Sequence, residues 1–270
     1  AFMAILDIQI INSSLKDIQG ALSATVEEGS WISTSYLVAE IIIIPLAAWL
    51  TMILSPRRFA VTISAIFVIA SLLCSMAWNL ESMIVFRALQ GLAGGALIPF
   101  AFTLILTKLP PDQRPKGMAM FAITATFAPS IGPTIGGWLT ENFGWEYIFY
   151  INIVPGILMA SGLMYGLDKA KPRWELLRQG DYFGIVTMAI GLGCLQVFLE
   201  EGHREDWFES NLMVALAVIS FISLVSFVII QLNRADPLVN LRLLKDRNFL
   251  LGSLANIGLG VGLYGTVFVL

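Results

Sequence analysis

Long apolar runs separated by short polar segments dominate the chain from end to end. The runs fall at 1–15, 32–54, 59–78, 82–107, 117–139, 147–167, 182–199, 211–232 and 249–270. A helix needs about 20 mostly apolar residues to cross a bilayer. The pattern therefore predicts nine membrane-spanning helices. The first and last runs reach the chain ends without a polar cap, so we expect both to be cut and the sequence to be a fragment.

Composition agrees with a lipid environment. The chain is 57% hydrophobic and 13% charged, which is more apolar surface than a water-soluble domain can bury. Cys74 and Cys194 lie within apolar runs, which favours packing over a disulfide or a metal pair. The single histidine, His203, lies in a polar loop. We expect an all-α polytopic membrane protein with no metal and no cofactor.

The basic residues orient the spans. Thirteen of the 16 Lys and Arg residues fall in one alternating set of loops, whereas the opposite set holds only Lys16 and Arg204. Because loops rich in Lys and Arg stay on the cytoplasmic side, the first set is predicted to be cytoplasmic. The outer loops are mostly acidic, and Glu201 is among their acids.

The spacing of the runs suggests three parts. Six spans follow closely in 1–167, and they predict a six-helix transmembrane bundle with a truncated first helix. Residues 168–248 then hold two cytoplasmic linkers and a pair of spans, which predict a two-helix insert. Residues 249–270 are predicted to begin a second bundle.

Helix breakers interrupt the fifth span in "APSIGPTIGG", residues 128–137. Pro133 removes a backbone donor and is predicted to bend the helix. Gly132 and Gly136 share one face, where another helix could approach closely. Small residues at this spacing are common in membrane bundles, but the string G-P-x-x-G-G, with Pro129 upstream and Gly137 at its end, is more specific. We expect 128–139 to form a seam against the opposite bundle that seals one face of a cavity.

This string resembles the antiporter signature of major facilitator drug:proton antiporters, at the end of their fifth helix. Further stretches match the fourteen-helix branch, the EmrB/QacA type, in order and spacing. They are "LDIQIINSSLKDIQGAL" (6–22), "GSWISTSYLVAEIIIIPLAAWL" (29–50), "IVFRALQGLAGGALIP" (84–99) and "DWFES" (206–210). The third is similar to the fourth-helix motif of the family, with Arg87, Gln90 and Gly91 at its fixed points and Gly95 one turn later.

The resemblance covers the whole chain and implies a transporter with two six-helix bundles and two extra central helices, of which this chain would supply about the first nine. It implies a secondary active multidrug efflux transporter in the bacterial inner membrane, which exports small hydrophobic or cationic drug-like molecules in exchange for protons. Relatives of this type often work with a periplasmic membrane-fusion adaptor and an outer-membrane channel. No nucleic acid partner is expected.

One family motif departs from its pattern. The loop after the second helix usually reads G-x-x-x-D-x-x-G-R-[RK], and here it reads "AWLTMILSPRR" (48–58). Ala48, Met52 and Ser55 replace the glycine, the aspartate and the second glycine, while Arg57 and Arg58 remain. Without its acid, the loop is not expected to form the usual cytoplasmic charge latch between bundles.

Three charged residues fall inside the spans: Asp7, Glu40 and Arg87. A charge at the bilayer centre costs roughly 2.5–3.5 kcal/mol on insertion scales, so all three are expected to face a shared cavity or one another. We predict that Asp7 carries the exchanged proton and that Arg87 holds the neighbouring carboxylate or a backbone carbonyl. Glu40 is the second choice as carrier, or it meets cationic substrate.

Two polar neighbours, Asn12 and Gln90, are predicted to complete the polar network around these charges. The structural alternative is an ion pair between Asp7 and Arg87 that only holds the first and fourth helices together. Structural ion pairs also shift the pKa values of their members, so such a shift does not by itself identify a proton carrier. For Glu40 the alternative is a side chain that lines a wet cavity without titrating.

Other classes of protein fit less well. No G-x-x-x-x-G-K-[ST] loop is present for an ATP-driven pump. An intramembrane enzyme needs a nucleophile–base pair or metal ligands within the spans, and it is disfavoured because the single histidine lies in a loop and no H-E-x-x-H motif is present. A channel-like protein and an exporter of one specific metabolite remain open, while a scaffold without transport does not explain three charges in the spans.

Overall fold

The computed structural model describes the backbone of residues 1–269 and the side chains of residues 1–262. Leu270, the last residue of the predicted ninth span, lies outside the described residues. Eleven α-helices and two short 3₁₀ helices make up the described fold, which contains no strand. The α-helices are α1 (Phe2–Ala21), α2 (Val26–Leu54), α3 (Pro56–Ser75), α4 (Leu80–Lys108), α5 (Arg114–Phe143), α6 (Tyr147–Tyr150), α7 (Ile153–Gly166), α8 (Glu175–Arg178), α9 (Tyr182–Glu201), α10 (Asn211–Asn233) and α11 (Arg247–Val269). The 3₁₀ helices are Trp207–Glu209 and Leu241–Lys245.

Local sequence signals explain where several helices begin. Thr25 and Glu28 form a capping box at the start of α2, in which the Glu28 N–H donates to Thr25 Oγ1 at 3.2 Å and the Thr25 N–H donates to Glu28 Oε2 at 3.0 Å. Asn79 and Ser82 do the same for α4. Each box satisfies backbone donors that the first helical turn leaves free. Pro56 starts α3, where its missing N–H costs nothing.

The helices pack into a bundle with an attached hairpin. The main contacts join α2 to α4, α1 to α5, and α3 to both α4 and α7. Apolar side chains from these helices form two buried clusters, one around Ile10 and Phe149 and the other around Phe59 and Phe67. The α9–α10 hairpin packs on the outside of this bundle through contacts between α9 and α2.

Seven helical segments of the described residues are long and apolar enough to cross a membrane. They coincide with the seven interior runs, and this confirms the helical, polytopic fold class. The two terminal runs are helical as α1 and α11 but are not among the seven. Several helices extend beyond the predicted runs because charged residues, which bound those runs, also occupy helix ends. For example, α2 begins at Val26 and α5 at Arg114.

The sixth predicted span is two helical pieces. The helix breaks between α6 and α7 at Ile151 and Asn152, and Asn152 is the N-cap residue of α7. In contrast, α5 continues as one helix through Pro129 and Pro133. The buried side chain of Asn152 lies at this break in the sixth span.

The two predicted cytoplasmic linkers contact the helix ends and each other. The Arg173 N–H donates to the Ile53 carbonyl at 2.7 Å, which fastens the first linker to the end of α2. Arg234 Nη2 donates to the Gln179 carbonyl at 3.0 Å and so joins the second linker to the first. Buried Asp181 caps α9 and accepts a hydrogen bond of 2.6 Å from Gln231 of α10. The insert is therefore held by polar contacts at its predicted cytoplasmic end.

Candidate functional site

An ion pair joins α1 to α4 inside the bundle. Arg87 Nη1 lies 2.6 Å from Asp7 Oδ2, and each residue is 1% exposed. Asp7 is on the inward face of α1, between the buried residues Leu6 and Ile10. The predicted meeting of these two charges is present in the structure. Removing either partner would leave an uncompensated buried charge, which is strongly destabilising.

The guanidinium of Arg87 is fixed by three further groups. Nη1 also donates to Gln90 Oε1 at 2.6 Å, and Nε donates to the Ile32 carbonyl of α2 at 3.2 Å. The guanidinium carbon lies 4.2 Å from the ring centroid of Tyr36, a cation–π distance. Arg87 therefore contacts a carboxylate and a backbone carbonyl together, the two roles predicted for it as alternatives.

Asp7 accepts hydrogen bonds from two amides as well as from the arginine. Gln90 Nε2 donates to Asp7 Oδ1 at 3.0 Å and to Ser71 Oγ at 2.9 Å. Asn152 Nδ2 donates to the same Asp7 oxygen at 2.5 Å. We call Asp7, Ser71, Arg87, Gln90 and Asn152 the buried polar network. All five are at most 2% exposed, and they come from α1, α3, α4 and the α6–α7 break.

Helix geometry explains how α4 serves this network. Arg87 and Gln90 stand three residues apart, so both point to the same face of α4. Gly91, which follows Gln90, and Gly95, one turn later, allow α2 to approach. A Cβ on Gly91 would clash with the Tyr36 carbonyl, and one on Gly95 would lie 2.8 Å from the backbone of Glu40. The fourth-helix motif thus combines a polar face with a close helix–helix contact.

Two predicted members stand apart from the network. Glu40 is half-buried on α2, and no hydrogen bond or ion pair among the described side chains joins it to Asp7 or Arg87. Asn12 is exposed, and its Oδ1 accepts a hydrogen bond from Ser33 at 3.0 Å. The prediction that Asn12 completes the network around Asp7 is wrong, because Asn12 lies on another face of α1. Asn152 takes that place.

The glycines of the fifth-helix motif contact α1, which belongs to the same group of helices. A Cβ on Gly132 would clash with Gln9, and one on Gly136 would lie 2.7 Å from the Ile10 carbonyl. The prediction that these two glycines face the opposite bundle is therefore wrong. Gly137 has no heavy atom within 4 Å of its Cβ position. Close packing is confirmed for Gly132 and Gly136, but its partner is the helix that carries Asp7.

A second buried acid was not recognised from the sequence. Glu201, predicted to lie in a polar outer loop, is the last residue of α9 and is only 5% exposed. Its carboxylate accepts hydrogen bonds from Ser30 at 3.0 Å and Thr34 at 2.6 Å, both on α2. Arg204 lies 3.5 Å away. Glu201 therefore ties the α9–α10 hairpin to the helix that also contacts α4.

The fold and this network define a multi-pass helical membrane protein with a buried, charged polar centre. The chain belongs to the Major Facilitator Superfamily, whose family profile matches residues 1–270. It is a multi-pass protein of the bacterial inner membrane, as its spans and its relatives indicate.

Curated relatives cover all of this chain. It is 39% identical over 269 residues to the colistin resistance protein EmrB of Acinetobacter baumannii, covering 100% of this chain and 52% of the relative. It is 37% identical over 270 residues to the fatty acid resistance protein FarB of Neisseria gonorrhoeae (100% and 53%). It is 34% identical over 269 residues to the multidrug export protein EmrB of Escherichia coli K12 (100% and 52%). The chain thus spans about half the length of these relatives.

A solved structure shows the same fold. The chain matches the crystal structure of a bacterial homolog to the human lysosomal transporter Spinster, in its inward-facing and unoccupied conformation, with a TM-score of 0.51 and 16% identity. The match covers 84% of this chain and 58% of that one.

Proposed function

We propose that the full-length protein is a secondary active multidrug efflux transporter that exports amphipathic small molecules in exchange for protons by alternating access. The observation that supports this most is a buried carboxylate, Asp7, held by one cation and two amide donors from other helices. These helices all belong to the first bundle, and in the proposed cycle they shift against one another as that bundle rocks against the second. A change in their spacing changes how well the ionised carboxylate is stabilised.

The donors around Asp7 define what a proton would do. In the ionised state its Oδ2 accepts from Arg87 and its Oδ1 accepts from Gln90 and Asn152. A proton on Oδ2 would end the attraction to the guanidinium and leave Arg87 with Gln90, the Ile32 carbonyl and the Tyr36 ring. Proton loading therefore loosens the contact between α1 and α4, and proton release restores it.

We further propose a division of the chain into a six-helix bundle (1–167), linkers with a two-helix insert (168–248) and the start of a second bundle (249–270). The opposite wall of the substrate cavity would come from that second bundle. Glu40, half-buried on α2 and outside the network, is available to meet cationic substrates. A periplasmic membrane-fusion adaptor and an outer-membrane channel are the partners that this proposal includes.

The relatives favour a broad substrate range over a single metabolite. Their names refer to resistance to colistin, resistance to fatty acids and multidrug export. An exporter of one metabolite is the second candidate. A channel is the third candidate, and flux measurements distinguish it because a channel would pass solute without moving protons in the opposite direction.

The test is gradient-driven drug efflux by the full-length protein with Asp7→Asn. We expect efflux to be abolished while the protein still reaches the membrane, because asparagine keeps an acceptor for Gln90 and Asn152 but cannot carry the proton. Asp17→Asn is the matched control, since Asp17 is an exposed acid on the same helix, and it should transport normally. Undiminished proton-coupled efflux by Asp7→Asn would rule out the carrier role.

The same experiment separates the carrier role from the purely structural ion pair. Because Asp7→Asn also leaves the buried Arg87 charge unpaired, efflux is divided by the amount of folded protein in the membrane. If Asp7 and Arg87 only hold α1 and α4 together, efflux per folded molecule should stay at the wild-type level. Loss of efflux per folded molecule supports the carrier.

A further inference from the structure

A basic cavity lies at the junction of α2 and α3. It has a volume of about 240 Å³ and is lined by Ser55, Arg57, Arg58, Lys169 and Ala170. A second cavity of about 500 Å³ shares Ser55 and Ala170 with it, and its lining adds more basic residues of the linker that follows α7. The distribution of basic residues predicts that this end of the bundle is cytoplasmic. The cavity is therefore expected at the level of the phospholipid headgroups.

Ser55 lines this cavity and has a buried hydroxyl without a hydrogen-bond partner. The residue is 4% exposed, and its Oγ is the one buried side-chain oxygen or nitrogen of the described residues that has no hydrogen-bond partner. Although Ser55 is the N-cap residue of α3, its side chain makes no capping bond. Buried polar groups are nearly always hydrogen-bonded, so this hydroxyl indicates a ligand that supplies the missing acceptor.

The charges around Ser55 select an anion. Arg57, Arg58 and Lys169 take part in no ion pair among the described residues. The nearest acid along the linker, Asp168, is occupied by Lys108 at 3.0 Å. The N-terminus of α3, a helix of 20 residues, adds its positive end and the free N–H groups of its first turn.

We propose that this cavity binds a phosphate group, carried either by an anionic phospholipid headgroup of the cytoplasmic leaflet or by free phosphate. The Ser55 hydroxyl donates one hydrogen bond, and the two arginines supply the forked donors that suit phosphate oxygens. Lys169 adds a charge from the linker. The site concerns how the transporter is held in its membrane and does not depend on proton exchange at Asp7.

Ser55 also offers a test variant that should fold. Its φ of 74° is in the region that favours glycine. Ser55→Gly therefore removes the hydroxyl without adding strain. Because a hydrogen bond to a charged group is lost, we expect phosphate affinity to fall about tenfold or more.

The experiment measures the thermal unfolding of the detergent-purified full-length protein with three probes at matched ionic strength. They are dioctanoyl phosphatidylglycerol, dioctanoyl phosphatidylcholine and inorganic phosphate. We expect phosphatidylglycerol to raise the unfolding temperature of the wild type much more than phosphatidylcholine does, because the basic cluster repels choline. Ser55→Gly and Arg57→Gln should each shift the half-saturating concentration upwards about tenfold. The control is Lys245→Gln, because Lys245 is an exposed basic residue away from the cavity. This variant should leave the half-saturating concentration unchanged.

The measurements with inorganic phosphate identify whether the bound phosphate group comes from a lipid headgroup or from free phosphate. If inorganic phosphate stabilises the wild type and competes with phosphatidylglycerol, the site recognises free phosphate. If only phosphatidylglycerol stabilises, the ligand is the lipid headgroup. The proposal is overturned if neither phosphatidylglycerol nor inorganic phosphate stabilises the protein, or if the two lipids stabilise it equally. It is also overturned if Ser55→Gly binds the stabilising probe as tightly as the wild type does.

Discussion

The ion pair between Asp7 and Arg87 can be measured by a double-mutant cycle. Arg87→Gln removes a guanidinium that lies 2.6 Å from the Asp7 carboxylate, in a place where both side chains are at most 1% exposed. Asp7→Asn removes the opposite charge and keeps an acceptor for the amides of the network. The double variant replaces both charges by neutral amides.

The expected energies follow from what each change leaves behind. Each single substitution strands one buried charge, which costs about 3–5 kcal/mol. The double variant strands none, so its cost should fall well short of the sum of the two. We expect a coupling free energy of about 3 kcal/mol, at the upper end for side chains in direct contact.

The assay is SDS-driven unfolding of the full-length protein in mixed micelles at pH 7, followed by circular dichroism. The pair Lys108 and Asp168 is the control, since its atoms are 3.0 Å apart but its side chains are 46% and 90% exposed. The hydrogen bond and the charge of Lys108 hold the pKa of Asp168 below its usual value. Water nevertheless screens this pair, so no measurable coupling is expected. Additive costs for Asp7 and Arg87, within about 0.5 kcal/mol, would refute the buried pair.

Three further predictions use the same unfolding assay. Gly95→Ala would place its Cβ 2.8 Å from the backbone of α2 and should lower the free energy of unfolding by about 1–3 kcal/mol. The control Gly137→Ala meets no heavy atom within 4 Å and should be neutral or slightly stabilising, so equal effects would contradict the close α2–α4 contact. Asn152→Ala removes a 2.5 Å hydrogen bond to the Asp7 carboxylate and should lower the free energy of unfolding by about 1–3 kcal/mol and slow drug efflux. Wild-type stability and efflux in this variant would show that Asn152 does not belong to the buried polar network. Glu201→Ala removes the acceptor of two hydrogen bonds from α2 and should also lower the free energy of unfolding by about 1–3 kcal/mol. The control Glu200→Ala changes an exposed neighbour and should alter stability by less than about 0.5 kcal/mol. Equal costs would contradict the role of Glu201 in holding the hairpin to α2.

The parts of the site that carry charge could be predicted from the sequence. Asp7 and Arg87 are recognisable because a charge within an apolar run is costly and needs a partner. Gln90 was found through the fourth-helix motif. Depth along a helix does not determine the direction in which a side chain points, so Glu40 and Asn12 could not be separated from the network by their positions alone.

Neutral partners and helix ends left weaker signals. Asn152 is uncharged and lies within "YIFYINIVPG", so the only sign of its role is an amide in an otherwise apolar run. Glu201 was taken for a loop residue because it lies at the edge of a run, where an acid is usually solvated. Its burial depends on Ser30 and Thr34, which are more than 160 residues away in the sequence. The partner of Gly132 and Gly136 likewise depends on tertiary packing, which glycine spacing does not identify.

The most direct test of the central claim is proton release on substrate binding. Detergent-purified full-length protein in weakly buffered solution is mixed with tetraphenylphosphonium, a hydrophobic cation, and the pH is followed with an indicator dye. The account predicts that the wild type releases up to about one proton per bound cation, since binding and ionisation are linked. Asp7→Asn should bind the cation and release none. Equal release by the wild type and Asp7→Asn would contradict the assignment of the exchanged proton to Asp7.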